Sequence, residues 1–258
     1  MSDMSFISTQ TADGIMRITI NRPEKKNALT TDMYNAMSNA LDELENNDDL
    51  RVGFITGTLD CFTSGNDIVD FMENPPVNND APVFRFIQTI ATLKKPLVAA
   101  VNGPAVGIGT TLLLHCELVY AARSATFQMP FVSMGLCPEA GSSLVLPQIV
   151  GYQRAAQLLM LGDKFSAAEA HQWGIVNEVF ADEDYQDKAY ANTVRLAKQP
   201  AKSLRLTKEF LRKANTHTLQ DIIAVEGKHF GEMLSGPEAK ESMQAFMEKR
   251  KPDFTKFK

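Results

Sequence analysis

Short apolar runs alternate along this chain with longer stretches whose apolar residues recur at helical spacing. Residues 5 to 20 read as two strands around Ala12-Asp13-Gly14, a sequence suited to a hairpin turn, and Asn21-Arg22-Pro23 closes the second. From Thr31 to about Asn46 the residues Met33, Ala36, Met37, Ala40, Leu41 and Leu44 fall on one helical face, with Thr30 or Thr31 available as its cap. VGFIT (52 to 56) then reads as a short buried strand. The alternation is repeated by a helix presenting Val83, Phe84, Phe86, Ile87, Ile90 and Leu93, followed after Pro96 by the strand LVAAV (97 to 101). GTTLLLHCE reads as a buried helix, and LVYAA and TFQMP as further strands. Strands that alternate with helices predict an α/β core, its strands buried by surrounding helices.

Beyond Gly151 the pattern turns helical. Ser166-Ala-Ala-Glu169 is a capping box for a short helix ending near Gly174, and IVNEVF (175 to 180) reads as a last strand. From about Asp184 to Lys249 several helices are expected, broken at Pro200 and at Gly236-Pro237. This division gives an α/β core over 1–198 and a helical region over 199–258 that is not an independent domain.

The 258 residues suffice for one large α/β domain with a substantial core. A net charge of -5 argues against a general nucleic-acid binder. Its distribution adds more: residues 1 to 186 hold 11 Lys and Arg against 22 Asp and Glu, whereas residues 187 to 258 hold 15 against 9. A solvated helical face accounts for most of that basic excess, with a phosphorylated ligand as the other use. Cys61, Cys116 and Cys137 are odd in number, widely spaced and without a CxxC pair, so neither a disulfide framework nor a zinc site is indicated. His171, His217 and His229 lack partners at metal spacing, and His115 reads as a core residue. No secretory signal and no apolar run long enough to span a bilayer is present in these residues, so a cytoplasmic protein without membrane or nucleic-acid partners is expected.

Three features carry chemistry. Glu139 is a lone carboxylate among Phe127, Met129, Phe131, Val132, Met134, Leu136 and Leu144. Apolar surroundings raise a carboxyl's pKa, which suits a general base working near neutrality. The other reading is that Glu139 caps the helix beginning near Gly141. In CFTSGNDIVDF (61 to 71) the Ser64-Gly65-Asn66-Asp67 loop leads into a helical turn whose free N–H groups can face a negative oxygen. In VNGPAVGIGTTLLLH (101 to 115) a glycine-rich turn exposes the N–H groups around Ile108 at another helix start. The second loop is neither a dinucleotide fingerprint nor a P-loop. Together, two backbone donors can hold a thioester oxygen as it becomes an enolate, while a carboxylate takes a proton from the neighbouring carbon; no metal is needed.

The ordered set NRPEKKNAL, FTSGNDI, KKPLVAAVNGPAVGIGTTL, Phe127 to Pro147 and AAEAHQWGIVNEV resembles the crotonase (enoyl-CoA hydratase/isomerase) superfamily over essentially the whole chain. That resemblance implies a spiral of ββα units with a helical C-terminal trimerisation region, homotrimers or hexamers, and acyl-CoA substrates, coenzyme A being part of the substrate and not a separate cofactor. It places the oxyanion-hole donors on the Asn66 and Ile108 amides. It runs the coenzyme A site past Ser64, Gly65, Asp67 and Ile68, with Gly107 and Phe131 on the substrate side. Lys25 or Lys26 would meet the phosphates. The hydratases' two catalytic glutamates fall on Thr111 and Phe131, so water addition is not expected. Glu139 matches the base of the peroxisomal-type Δ3,Δ2-enoyl-CoA isomerases, which implies transfer of a double bond from C3 to C2 in β-oxidation. Cys137 departs from that subgroup, where serine is common. A silent acyl-CoA binder and an enzyme for another thioester are the alternatives. The stretch MENPPVNNDAP (72 to 82) is expected as a mobile loop bordering the acyl pocket.

Overall fold

The structure is a computed structural model that describes residues 6–58, 60–76, 81–214 and 216–257. A hairpin of β1 (Ile7–Ala12) and β2 (Ile15–Ile20) leads into α1 (Thr31–Asn46), which Thr30 caps by accepting from the Met33 amide. β3 (Val52–Thr56), α2 (Ile68–Glu73), α3 (Pro82–Thr92) and β4 (Leu97–Val101) follow. Next come β5 (Pro104–Val106), the single turn α4 (Ile108–Thr111), β6 (Leu118–Ala122) and β7 (Thr126–Gln128). α5 (Ser142–Val150), α6 (Tyr152–Met160), β8 (Phe165–Ser166), α7 (Ala167–Gln172) and β9 (Glu178–Phe180) complete the sheets. The chain ends in α8 (Tyr185–Ala197), α9 (Ala201–Lys213), α10 (Thr216–Leu234) and α11 (Pro237–Met247).

Six strands form one sheet in the order β1-β2-β3-β4-β6-β9, parallel throughout except for the β1–β2 hairpin. Strand residues alternate between its two faces, and the core divides accordingly. Phe54, Val98, Ala100 and Tyr120 pack with Ala189 and Ala197 of α8, whereas Ile55, Ala99, Val101 and Ala121 join the larger core with α1 and α3. Burial on both faces explains why VGFIT and LVAAV are continuous apolar runs without polar alternation.

A second sheet, β5-β7-β8, stands beside the first. It is extended by isolated bridges, Thr63 to Ala105 and Leu29 to Asn66. Successive turns of the chain are thereby laid one on the next, and the two glycine-marked loops become neighbours.

Most predicted elements are present, including the Ser166–Glu169 capping box and the breaks at Pro200 and Gly236-Pro237. Three details differ. The GTTLLLH helix is one α turn followed by a 3-10 turn over Leu112–His115, and the strand read over 175–180 is strand only over Glu178–Phe180. Of the loop expected over 72–82, Met72 and Glu73 belong to α2, Pro82 opens α3, and 77–80 lie outside the described residues.

Ion pairs engage a few cations of the basic C-terminal segment. Lys208, almost fully buried, and Arg212 both grip Glu117, at 2.9 and 2.6 Å, and Arg250 and Lys256 both grip Glu241, at 2.6 Å each. Lys208 and Arg212 are thereby tied into the fold, whereas the Arg250 and Lys256 side chains stay exposed, as a solvated face would have them. No helix among the described residues is long and apolar enough to cross a membrane.

Candidate active site

The site begins with two loops that glycine allows to meet. Gly65 has φ +91°, and a Cβ there would come within 2.9 Å of the Val106 carbonyl oxygen, so no side chain fits without moving backbone. Gly107 turns at φ 57° and ψ −119° immediately before α4, a conformation that side chains disfavour, and leaves the first amides of that turn exposed.

Where the Asn66 amide points is set by its pairing. Leu29 donates to the Gly65 carbonyl at 2.8 Å and accepts from the Asp67 amide at 2.8 Å. In a parallel bridge the intervening residue directs its own N–H to the opposite side. Asn66 thus presents its amide away from Leu29, and neither it nor the Ile108 amide has an acceptor among the described residues. The Asn66 side chain is held by Tyr34, whose hydroxyl donates to Oδ1 at 2.5 Å. Burial, and then the charges of Glu139 and Asp70, push the Tyr34 phenol well up, so it remains a donor.

Between the loops opens a cavity of about 660 Å³. Its wall includes Ser64, Gly65, Asn66, Asp67, Ile68, Gly107, Ile108 and Phe131, and with Lys25 it brings together nine of the ten site residues expected from the sequence. Lys25 lies at the same cavity with Lys26; both side chains are exposed. Asp67 is committed to structure: it pairs with Arg22 at 2.6 Å and caps α2 through the Val69 and Asp70 amides. A second cavity of about 660 Å³ touches His115, Lys208 and Arg212 but contains neither glycine loop.

Glu139 is the tenth residue, and the wall does not include it. It is 5% exposed, and its carboxylate accepts a short hydrogen bond from the Thr111 hydroxyl, one helical turn beyond the Ile108 amide. The wall residues nearest this pair along the chain are Ile108 and Leu136. Burial pushes the Glu139 carboxyl up to about 8; the Thr111 hydrogen bond opposes that rise and the charge of Glu226 adds to it.

Two sequence readings are corrected here. Glu139 does not cap α5: the cap is Glu226 of α10, which accepts from the Gly141 amide at 2.6 Å and the Ser143 amide at 3.0 Å. Glu139 is also not alone, since Glu226 brings a second carboxylate to it from 87 positions along the chain. Thr111, where the resemblance places a hydratase glutamate, holds the Glu139 carboxylate. Burial depresses the His115 pKa to about 4, and its Nε2 donates to the Ala140 carbonyl at 2.7 Å, so it is a neutral support of the Glu139 turn.

The sequence reading missed Tyr34, Glu226 and the far wall of the cavity, formed by Phe230 of α10 and Ser242, Met243, Phe246 and Met247 at the end of the chain. Tyr34 had a signal, a hydroxyl set in line with Met37, Leu41 and Leu44 on the buried stripe of α1. Among the described residues, no group of three or more His, Cys, Asp or Glu is placed to hold a metal ion, and the His217 side chain lies outside those residues.

Comparison with known proteins gives a consistent picture. The enoyl-CoA hydratase/isomerase family profile matches residues 10–257. A 1,2-epoxyphenylacetyl-CoA isomerase of Escherichia coli is 37% identical, the match covering 98% of this chain and 99% of that protein. Human enoyl-CoA delta isomerase 2 is 40% identical over 83% of this chain, which spans only 56% of the longer human protein. Among solved structures, an enoyl-CoA hydratase/isomerase from Pseudoalteromonas atlantica superimposes with a TM-score of 0.92 at 38% identity, covering 97% of this chain and all of that one.

Proposed function

This chain belongs to the enoyl-CoA hydratase/isomerase family, and on that premise we propose that it is a Δ3,Δ2-enoyl-CoA isomerase with Glu139 as its single base. In this reading the thioester oxygen of a 3-enoyl-CoA accepts from the Asn66 and Ile108 amides. Glu139 takes the proton from C2, and the electron pair of that C–H bond moves into a dienolate whose charge rests on the held oxygen. The same carboxyl returns the proton at C4, leaving the double bond between C2 and C3. Charge and protons balance without a further group.

The observation that carries this reading is Glu139 itself, a buried carboxyl with a pKa of about 8, beside Thr111. A base of that strength can accept a proton and release it again, as a 1,3-transfer requires. Thr111 and the buried Phe131 occupy the positions where the hydratase resemblance expects carboxylates to orient water, so hydration lacks its machinery. Because Glu139 stands outside the cavity wall, the C2 to C4 segment must pass the wall at Ile108 and Leu136 to reach it. The expected assembly is a homotrimer or hexamer, and Leu206, Phe210 and Leu211 of α9 are exposed apolar side chains that such an interface would cover.

A second reading, isomerisation of an aromatic or otherwise different CoA thioester, is favoured by the end-to-end match to the Escherichia coli epoxyphenylacetyl-CoA isomerase. An ultraviolet assay separates the two: conversion of a trans-3-enoyl-CoA to the conjugated 2-enoyl thioester, lost in Glu139→Gln, supports the first. Turnover of a ring-containing thioester alone supports the second.

A further inference from the structure

The turn that carries Glu139 is not held by its own residues alone. Ala140 and Gly141 both lie in the left-handed region, at φ 57° and 69°, and for alanine that conformation is strained. Locally, the Ser142 amide donates to the Glu139 carbonyl at 3.0 Å, and the Gly141 carbonyl accepts from the Leu144 and Val145 amides of α5. The remaining constraints come from elsewhere in the chain: Thr111 on the Glu139 carboxylate, His115 on the Ala140 carbonyl, and Glu226 on the Gly141 and Ser143 amides.

Glu226 does the most. One of its oxygens accepts from the Gly141 amide at 2.6 Å, and the other accepts from the Ser143 amide at 3.0 Å and the Ser143 hydroxyl at 2.5 Å. It is 7% exposed, in the middle of α10. A helix start favours an anion, and the Ser143 and Gly141 hydrogen bonds oppose the rise that burial gives the Glu226 carboxyl. Its charge also bears on Glu139, whose other neighbours are neutral. The Thr111 hydroxyl, the Tyr34 phenol and the imidazole of His115 are uncharged near neutrality. Cys137 is uncharged too, its thiol pushed up to about 11 by burial and by Glu226. Among these neighbours, Glu226 is the one that brings charge to the base.

We propose that Glu226 is the positioning residue of this site: it clamps the turn from Glu139 to Ser143 and fixes a negative charge beside the base, so that α10 completes the acid–base centre. The proposal rests on the reading of Glu139 as the base. Its consequence is that part of the proton affinity of Glu139 is set from the C-terminal helical region, outside the α/β core.

The test compares Glu226→Gln, Glu226→Asp and Ser143→Ala with the wild-type protein. Titration of the Glu139 carboxyl is followed by infrared difference spectroscopy, its C=O band being the one missing from Glu139→Gln. Glu226→Gln keeps an acceptor but removes the charge, so Glu139 should titrate lower by roughly half to one pH unit. The acid limb of kcat/KM should move with it. Glu226→Asp and Ser143→Ala retain the charge and should titrate within about 0.3 unit of wild type, while kcat falls more than KM changes as the clamp loosens. Glu139 titrating at the wild-type pH in folded Glu226→Gln would overturn the proposal. If Glu226→Gln does not fold, Glu226→Asp decides: a lower kcat at nearly constant KM supports the clamp, and an unchanged kcat refutes it. The infrared titration needs no substrate, so an absence of 3-enoyl-CoA turnover would sink the isomerase reading while leaving the influence of Glu226 on Glu139 independently measured.

Discussion

Replacing Thr111 with valine keeps the shape of the side chain and removes the hydroxyl that donates to Glu139. That hydrogen bond favours the ionised carboxylate and opposes the effect of burial, which has already raised the Glu139 pKa to about 8. A hydrogen bond to a charged group contributes roughly 1.5 to 3 kcal/mol. At about 1.4 kcal/mol per pKa unit, its loss should carry Glu139 up by roughly one to two more units. Near pH 7 about a tenth of the wild-type base is ionised; in Thr111→Val the fraction falls to about one in a hundred or less. The expected kcat/KM at pH 7 is therefore about 10 to 100 times lower, with the gap closing to a few-fold near pH 10. The assay is the pH profile of isomerisation from pH 6 to 10, with thermal unfolding at each pH as the control for folding. Folding raises the proton affinity of this carboxyl, so its contribution to stability is greatest below its unfolded pKa of about 4.5 and declines as the pH climbs towards 8. In Thr111→Val that decline should continue to higher pH. An equal fractional loss of activity at every pH, or no loss, would refute the account of how Thr111 works.

Two further substitutions probe the rest of the site. Ile108→Pro deletes the proposed oxyanion donor at the first position of α4, where proline is otherwise tolerated, and should lower kcat by about 10² to 10³ in a protein that still melts cooperatively. Full activity would remove Ile108 from the mechanism. Lys25→Ala combined with Lys26→Ala should raise KM for the coenzyme A thioester by roughly 2- to 10-fold, more at low salt, with kcat unchanged. An equal rise for a pantetheine thioester, which lacks the nucleotide phosphates, would show that these lysines do not act on them.

How much was legible in the sequence depends on how locally each feature is determined. The buried strands, the Thr30 and Ser166 caps and the breaks at Pro200 and Gly236-Pro237 depend on residues within a few positions of one another. The glycines that allow the turns at Gly65 and Gly107 could be read locally, but the Asn66 and Ile108 amides were named through the family resemblance, and Asn66 takes its direction from the distant Leu29. Glu139 was visible because a carboxylate in an apolar stretch has few bland explanations. Its partners were not visible. Glu226 reaches Gly141 from 85 residues away, and its own surroundings on α10 give no sign of a turn to be capped. Lys208 and Arg212 read as surface charge until Glu117 meets them across more than 90 residues. The closing wall of the cavity, with Met243 and Phe246, depends on where the last helix docks, which no local pattern encodes.

The central claim is that one buried carboxyl, Glu139, moves a proton between two carbons of an acyl thioester. The most direct measurement is a comparison of wild type and Glu139→Gln on a trans-3-enoyl-CoA, following the conjugated 2-enoyl product in the ultraviolet, with crotonyl-CoA as the hydration control. The predicted result is turnover by the wild type, a fall of at least about 10³ in the variant, and no hydration by either. Turnover that survives in Glu139→Gln, or a wild type that binds the thioester and leaves its double bond in place, would contradict it.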